Sequence, residues 1–215
     1  MSAYTKYSFL YPPRPEKAIS PKQLKWYQDK GWVGQFKKNG TCTVLSVSPD
    51  KDITVRTRRD TPHKAWSPTD DVLDPFTKLP GKGWYVFMCE VLHSKTSRVK
   101  NTIYIFDIAV NDGELLLGTT FTERQEILRK MFPSNVETIS HYLITEKVWL
   151  AKTIEGGFAN MMKRIQEKSD REEGNSEDEG LVIKRPDAKL ASLGRAKSNG
   201  AWQVKCRVGQ KNYAF

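Results

Sequence analysis

The chain has 215 residues, 38% of them apolar and 11% aromatic, enough for one large core or two small ones and too apolar for disorder throughout. Lys and Arg number 35 against 25 Asp and Glu, a net charge of +10, so polyanions are the natural partners. No run reaches the roughly eighteen apolar residues of a membrane span, the opening MSAYTKYSF lacks a signal-peptide core, and three scattered cysteines give no zinc spacing and no disulfide framework. The expected setting is therefore cytoplasmic or otherwise intracellular, with no membrane partner.

Four of the eleven prolines fall in the segment YPPRPEKAISPK near the start. That density excludes a regular helix or a central strand. It predicts an extended arm over 1–30 that ends in a short helix near Gln23–Gln28. Short runs of β-branched and aromatic residues then predict strands at Trp32–Phe36, Thr41–Ser46, Ile53–Thr57, Trp84–Leu92 and Thr102–Val110. Thr120 and Glu123 have capping-box spacing ahead of Phe121, Ile127, Leu128 and Met131, which predicts a helix. A second helical stretch is expected over Glu146–Lys168, with Gly156 and Gly157 as an interruption. Asp170–Glu179 reads as an acidic, mobile surface loop. From Lys184 to Phe215 the balance reverses, with eight Lys or Arg against the single acid Asp187. The whole predicts an α+β fold of antiparallel sheets flanked by helices, with 31–215 as one domain.

Many familiar active-site patterns are missing. There is no GxxxxGK[ST] loop and no HExxH, and His63, His93 and His141 have no ligand spacing. The GKG at 81–83 reads as a turn before a strand, and neither a GxSxG elbow nor a Cys–His pair is present. Five other segments stand out because charged residues interrupt or flank apolar strands. They are Lys37-Lys38-Asn39-Gly40, Cys89-Glu90-Val91, Ile105-Phe106-Asp107-Ile108, Glu179-Gly180-Leu181-Val182-Ile183-Lys184 and Trp202-Gln203-Val204-Lys205-Cys206-Arg207. Taken singly, each has a plain structural explanation: a solvated lysine, an acid on the wet face of a strand, a core phenylalanine. Strand alternation puts Lys205 and Arg207 on one face and sends Lys37 and Lys38 to opposite faces.

In their order and separations these segments resemble the covalent nucleotidyltransferase superfamily of ATP-dependent DNA and RNA ligases and mRNA capping enzymes. KKNG at 37–40 resembles the KxDG nucleophile motif, CEVL at 89–92 the glutamate strand, and YIFDI at 104–108 the aromatic-Asp segment. EGLVIK at 179–184 and VKCR at 204–207 are similar to the last two motifs. TVRTRRD at 54–60 resembles the strand that follows the nucleophile, with Arg58 the better match and Arg56 the second. The stretches Phe106–Leu128 and Glu179–Arg207 look most like DNA ligases, whereas KKNGTC looks more like some RNA ligases.

The resemblance implies an ATP-grasp-like ligase core that seals 5′-phosphate/3′-hydroxyl breaks through a lysyl-AMP intermediate. Nicked duplex DNA is the favoured substrate, with RNA ligation, GTP-dependent capping and non-catalytic nucleic-acid binding as alternatives. It makes Lys37 the nucleophile, with Arg58, Glu90, Phe106, Lys205 and Arg207 around the nucleotide. Glu179 and Glu90 would hold Mg²⁺ or Mn²⁺ beside ATP. Hard carboxylates suit such a cation, and a flat apolar ring suits adenine. Arg195, Lys197 and Lys211 are expected on the nucleic acid.

Three positions depart from the family pattern: Asn39 replaces the aspartate of KxDG, Cys42 stands where an arginine is usual, and Arg207 replaces a lysine. The chain also ends eight residues after Arg207, where family ligases continue into an OB-fold domain. A core without that domain is therefore expected, and an OB-fold protein in trans is the partner it would call for.

Overall fold

The structure, a computed structural model, describes residues 2–173, 175–191, 193–194 and 199–209. The chain opens with two short extended pieces, β1 (Ser2–Ala3) and β2 (Arg14–Pro15), then a 3-10 turn at Pro21–Gln23 and α1 (Leu24–Asp29). Three strands follow, β3 (Val33–Lys38), β4 (Thr41–Val47) and β5 (Ile53–Thr57), then α2 (Asp70–Thr77). The long hairpin β6 (Tyr85–Leu92) and β7 (Thr102–Asn111) leads through β8 (Glu114–Leu115) into α3 (Phe121–Met131). The chain continues with β9 (His141–Leu143), β10 (Val148–Ala151), α4 (Phe158–Arg171), β11 (Asp178–Lys184), β12 (Asn199–Gly200) and β13 (Gln203–Arg207). This is the α+β arrangement of largely antiparallel sheets flanked by helices that the sequence predicts.

Two sheets face the site. The larger runs β1-β8-β7-β6-β4-β5, and β10 joins β7 in parallel; the smaller is β13-β11-β3, antiparallel throughout. The small sheet packs one face into a core, whereas the large sheet is covered on both, with Val44, Val86, Met88 and Val110 on its inner face meeting Tyr4, Leu10, Leu190 and Leu193. The outer face of the large sheet packs Leu45, Phe87 and Ile105 against Val72 and Phe76 of α2 and Leu128 of α3. The small sheet packs Phe36, Leu181, Ile183, Val204 and Cys206 against Leu24 of α1 and Phe158, Met162 and Ile165 of α4. At the start of α3 the capping box forms as expected: Glu123 N–H donates to Thr120 Oγ1 at 3.2 Å and Thr120 N–H to Glu123 Oε2 at 2.6 Å. No helix among the described residues is long and apolar enough to cross a membrane.

One expectation fails and one changes its bounds. The stretch Glu146–Lys168 is not one helix. Its first part is β10, fully buried and paired with β7 through Val148–Ile103 and Leu150–Ile105. A short apolar run serves a doubly covered strand as well as a helix, and the helix begins only after Gly157, whose φ is +71°. The expected loop at Asp170–Glu179 is shorter than read, because α4 runs to Arg171 and β11 begins at Asp178. The acids there meet cations, with Glu177 on Lys168 at 3.2 Å and Asp178 on Lys38 at 2.7 Å.

The proline-rich arm is extended, as read, and it lies along β13. Glu16 N–H donates to Gln203 O, Ile19 N–H to Lys205 O, and Lys205 N–H to Lys17 O, at 2.9, 2.9 and 3.1 Å. Proline has no N–H to give, so it suits such an outer position.

Candidate active site

Strand alternation builds the floor of the site. Register places Lys37 opposite Gly180 and Gly180 opposite Arg207; Gln35, Val182 and Lys205 form the next row, and Val33, Lys184 and Gln203 the third. The intervening residues Phe36, Leu181, Ile183, Val204 and Cys206 point the other way into the core. Lys205 and Arg207 therefore do share a face, and Lys37 and Lys38 do not.

Glu179 would face the core with Leu181 and Ile183 if alternation ran unbroken. It does not, because the register between β11 and β3 shifts there: Asp178 pairs with Lys38 and Gly180 with Lys37, leaving Glu179 as an extra residue. Such a bulge re-aims a side chain. The Glu179 carboxylate turns to the site and forms an ion pair with Lys37 Nζ, while Arg207 Nη2 lies 3.4 Å from the same oxygen. Gly180 makes this possible. Its φ is +147°, and a Cβ there would meet Cys206 O at 2.0 Å.

The opposite wall comes from the large sheet. Cys42, Glu90 and Tyr104 form one cross-strand row, and Arg58 follows β5 with its N–H donating to Cys42 O at 3.0 Å. Burial first, and then the Glu179 charge, push the Glu90 carboxyl up to about 7 against the pull of Lys37, Lys95 and Arg58. Burial, Arg207 and Lys37 lower Lys205. The Cys42 thiol is pushed up to about 12, mainly by burial.

Two cavities meet at Lys37. One, of about 320 Å³, is lined by Gln35, Phe106, Lys184, Lys205 and the Pro12–Glu16 segment of the arm. The other, of about 580 Å³, is lined by the 57–66 segment, His93–Lys95 and Glu179. Lys37, Cys42, Arg58, Glu90 and Arg207 line both. Seven residues singled out from the sequence, Lys37, Arg58, Glu90, Phe106, Glu179, Lys205 and Arg207, thus line these two cavities. Arg195, Lys197 and Lys211 lie outside the described residues.

Beneath this floor Lys38 is 2% exposed. It pairs with Asp178 at 2.7 Å, donates to Ser140 Oγ at 3.2 Å, and lies 5.3 and 5.4 Å from the ring centres of Tyr104 and Trp149. Asn39 explains its own departure from the KxDG pattern. Its side-chain amide donates to the carbonyls of Ser176 and Lys95, at 3.2 and 3.3 Å, a role that an ionised aspartate cannot fill. Gly40 is also required here, because a Cβ would meet Val91 O at 2.4 Å.

Sequence reasoning passed over several wall residues. Gln35 sits two positions before Lys37 on the same strand face, so alternation alone could have found it. Its Oε1 accepts from Lys184 Nζ at 2.6 Å, and its amide donates to Gln125. Burial lowers Lys184 to about 8, and the pair lies on the wall of the cavity that Phe106 also lines. Lys95 and the arm residues carry no periodic signal. Lys95 Nζ donates to Gly40 O at 2.5 Å, across the turn that follows the nucleophile candidate.

Among the described residues no cluster of three or more His, Cys, Asp or Glu could hold a metal alone. Glu90 and Glu179 nevertheless fit Mg²⁺, which takes one or two carboxylates and fills its remaining positions with water and substrate phosphate.

No family model matches the sequence, and no curated protein is similar enough to be matched. Solved structures are. The ligase domain of LigD from M. tuberculosis superposes with a TM-score of 0.57 at 18% identity, covering 91% of this chain and 59% of that one. A mycobacterial DNA ligase D complexed with ATP and MES gives 0.56 at 17%, covering 92% and 60%. The ATP-dependent DNA ligase of bacteriophage T7, complexed with ATP, gives 0.52 at 13%, covering 90% and 68%. The chain shares the fold of these ligase domains and spans about 60% of the length of the two mycobacterial chains.

Proposed function

We propose that this chain is the nucleotidyltransferase core of an ATP-dependent polynucleotide ligase, with nicked duplex DNA as its substrate. The observation that carries the reading is the position of Lys37. Its amine is ion-paired to a carboxylate delivered by a bulge, and it lines both the cavity that holds Phe106 and the one that holds Arg59, Lys64 and Lys95. Two of the superposed ligase structures are complexes with ATP. The DNA assignment rests on the sequence resemblance of the Phe106–Leu128 and Glu179–Arg207 stretches.

Adenine enters beside Phe106, and Gln35 offers an amide to the base edge. The α-phosphate rests against Lys205 and Arg207, which face the charge that builds on non-bridging oxygens during transfer. A lysine attacks only as the free amine, and Lys37 is ion-paired to Glu179. Attack requires Lys37 to give a proton to solvent first, which leaves the Glu179 carboxylate free to meet a cation. The Lys37 amine then forms a P–N bond as the α–β bridging P–O bond breaks, and pyrophosphate leaves with the electron pair. AMP passes from Lys37 to a strand's 5′-phosphate, and a 3′-hydroxyl displaces it to close the break. A magnesium ion held by Glu179 and Glu90 would neutralise phosphate charge.

Sealing assays with a 5′-phosphorylated nick in duplex DNA, the matching RNA nick, and ATP or GTP test the reading. ATP-dependent closure of the DNA nick supports it. Closure of RNA alone would move the substrate to RNA, a GTP requirement would favour capping chemistry, and closure of neither would overturn the ligase assignment.

A further inference from the structure

Behind the small sheet, on the face of β3 opposite Lys37, lies a groove that takes no part in the site above it. Phe36, Ile139, Met161 and Ile165 give it apolar walls between the 138–141 segment and α4. Its volume is about 260 Å³, below the roughly 300 Å³ at which small-molecule sites begin, but room enough for one large apolar side chain. Arg164 and Lys168 stand on its rim. His141 lines it too, but burial and then the Lys38 charge hold the imidazole down to about 3, so it stays neutral.

The loop that supplies Ile139 leaves its apolar side chains in water. Of the four large apolar side chains exposed among the described residues, two belong to it: Val136 at 57% and Ile139 at 48%. The loop is braced all the same. Ser134 Oγ donates to Leu143 O at 2.5 Å, Leu143 N–H to Val136 O at 2.9 Å, and Thr138 N–H to His141 O at 2.8 Å. Ile139 is thus held outward at the groove, and little order is left to impose when a partner arrives.

On the other wall, Met161, Arg164, Lys168 and Arg171 recur at the three- and four-residue spacing of one helical stripe. Lys168 is paired with Glu177 at 3.2 Å. Arg164 and Arg171 are exposed, and among the described residues neither is in an ion pair with a carboxylate. An apolar slot flanked by unpaired guanidinium groups is the complement of an acidic segment with an apolar anchor. We infer that this face docks a partner protein through such a segment. An aliphatic or aromatic side chain enters between Ile139 and Met161, and Asp or Glu carboxylates beside it meet Arg164 and Arg171. A nucleic-acid backbone matches the arginines but leaves Ile139 and Val136 uncovered. The docked partner lies behind the small sheet and leaves both cavities at Lys37 open, so the inference does not depend on what Lys37 does.

A library of random peptides displayed on phage tests this, with the whole chain as bait and the variants Ile139→Asp and Arg164→Glu as counter-baits. Both variants change exposed side chains, so the fold should persist, with circular dichroism as the check. Peptides that bind the parent should carry Asp or Glu around one large apolar residue. Fluorescence anisotropy with one such peptide should show at least roughly tenfold weaker binding to each variant. Exchanging the peptide's acids for lysines should restore binding to Arg164→Glu and abolish it on the parent.

Failure to enrich any peptide that needs both Ile139 and Arg164 overturns the inference, as does a consensus without acids. Duplex DNA that displaces the peptide and needs Arg164 but not Ile139 would give the stripe to nucleic acid. A concentration-dependent dimer in sedimentation, abolished by Ile139→Asp, would give the face to a second copy of this chain. Either of these results also overturns it.

Discussion

Lys37 and Glu179 are ion-paired at the one point where β3 and β11 lose register. Unbroken alternation would bury Glu179 behind the floor of the site, so one inserted residue separates a core-facing acid from a partner for the nucleophile candidate.

That geometry depends on Gly180. Gly180→Ala combines a left-side φ with a Cβ driven into the Cys206 carbonyl, and should cost about 2–4 kcal/mol of stability. Urea unfolding reads the loss. A variant as stable as the parent would show that the bulge relaxes freely.

Lys38 supports the floor from beneath. Removing one partner of a buried ion pair costs about 3–5 kcal/mol because the other charge stays buried. Lys38→Met and Asp178→Leu should each lower the unfolding midpoint strongly, and the double variant should recover much of the loss. Additive losses would mean that the two charges act separately.

Glu90 gives stability a pH dependence. Its folded-state value of about 7 lies above the ordinary 4.5, so the fold favours the protonated carboxyl. The contribution is complete below pH 4.5, falls away as pH rises, and is gone above about 7. Without metal or nucleotide, Glu90→Gln should therefore match the parent in melting temperature near pH 4.5 and exceed it at pH 8. A constant difference across that range would contradict the burial argument.

Phe106 tests the base pocket. Stacking of a base on an aromatic ring contributes about 1–3 kcal/mol, so Phe106→Ala should raise the KM for ATP roughly 5- to 150-fold. Steady-state adenylylation measures it, and a KM within twofold of the parent would place the base elsewhere.

Most of the frame was legible because β-branched and aromatic runs declare strands. β3 to β7 lie within two residues of their expected bounds, and α1 and α3 lie where proline density and the capping box put them. The candidate site was legible where charge broke an apolar strand, as at Glu90, Glu179 and Lys205. β10 was misread because four buried apolar residues have no period to distinguish strand from helix. The bulge at Glu179 has one signature, Gly180 inside a strand pattern, but its consequence appears only when two strands are laid in register. The docking of the arm on β13 and the placing of Lys95 across the Gly40 turn are long-range events, for which local pattern holds no information.

The most direct test of the account is the chemical fate of Lys37. The protein is incubated with Mg²⁺ and ATP labelled on its α-phosphate, denatured, and mapped by peptide mass spectrometry, beside Lys37→Ala and Lys38→Ala. The account predicts an AMP adduct on Lys37, retained at reduced yield in Lys38→Ala and absent from Lys37→Ala. An adduct on another residue, or one that survives Lys37→Ala, would contradict it, as would a parent chain that takes up no label.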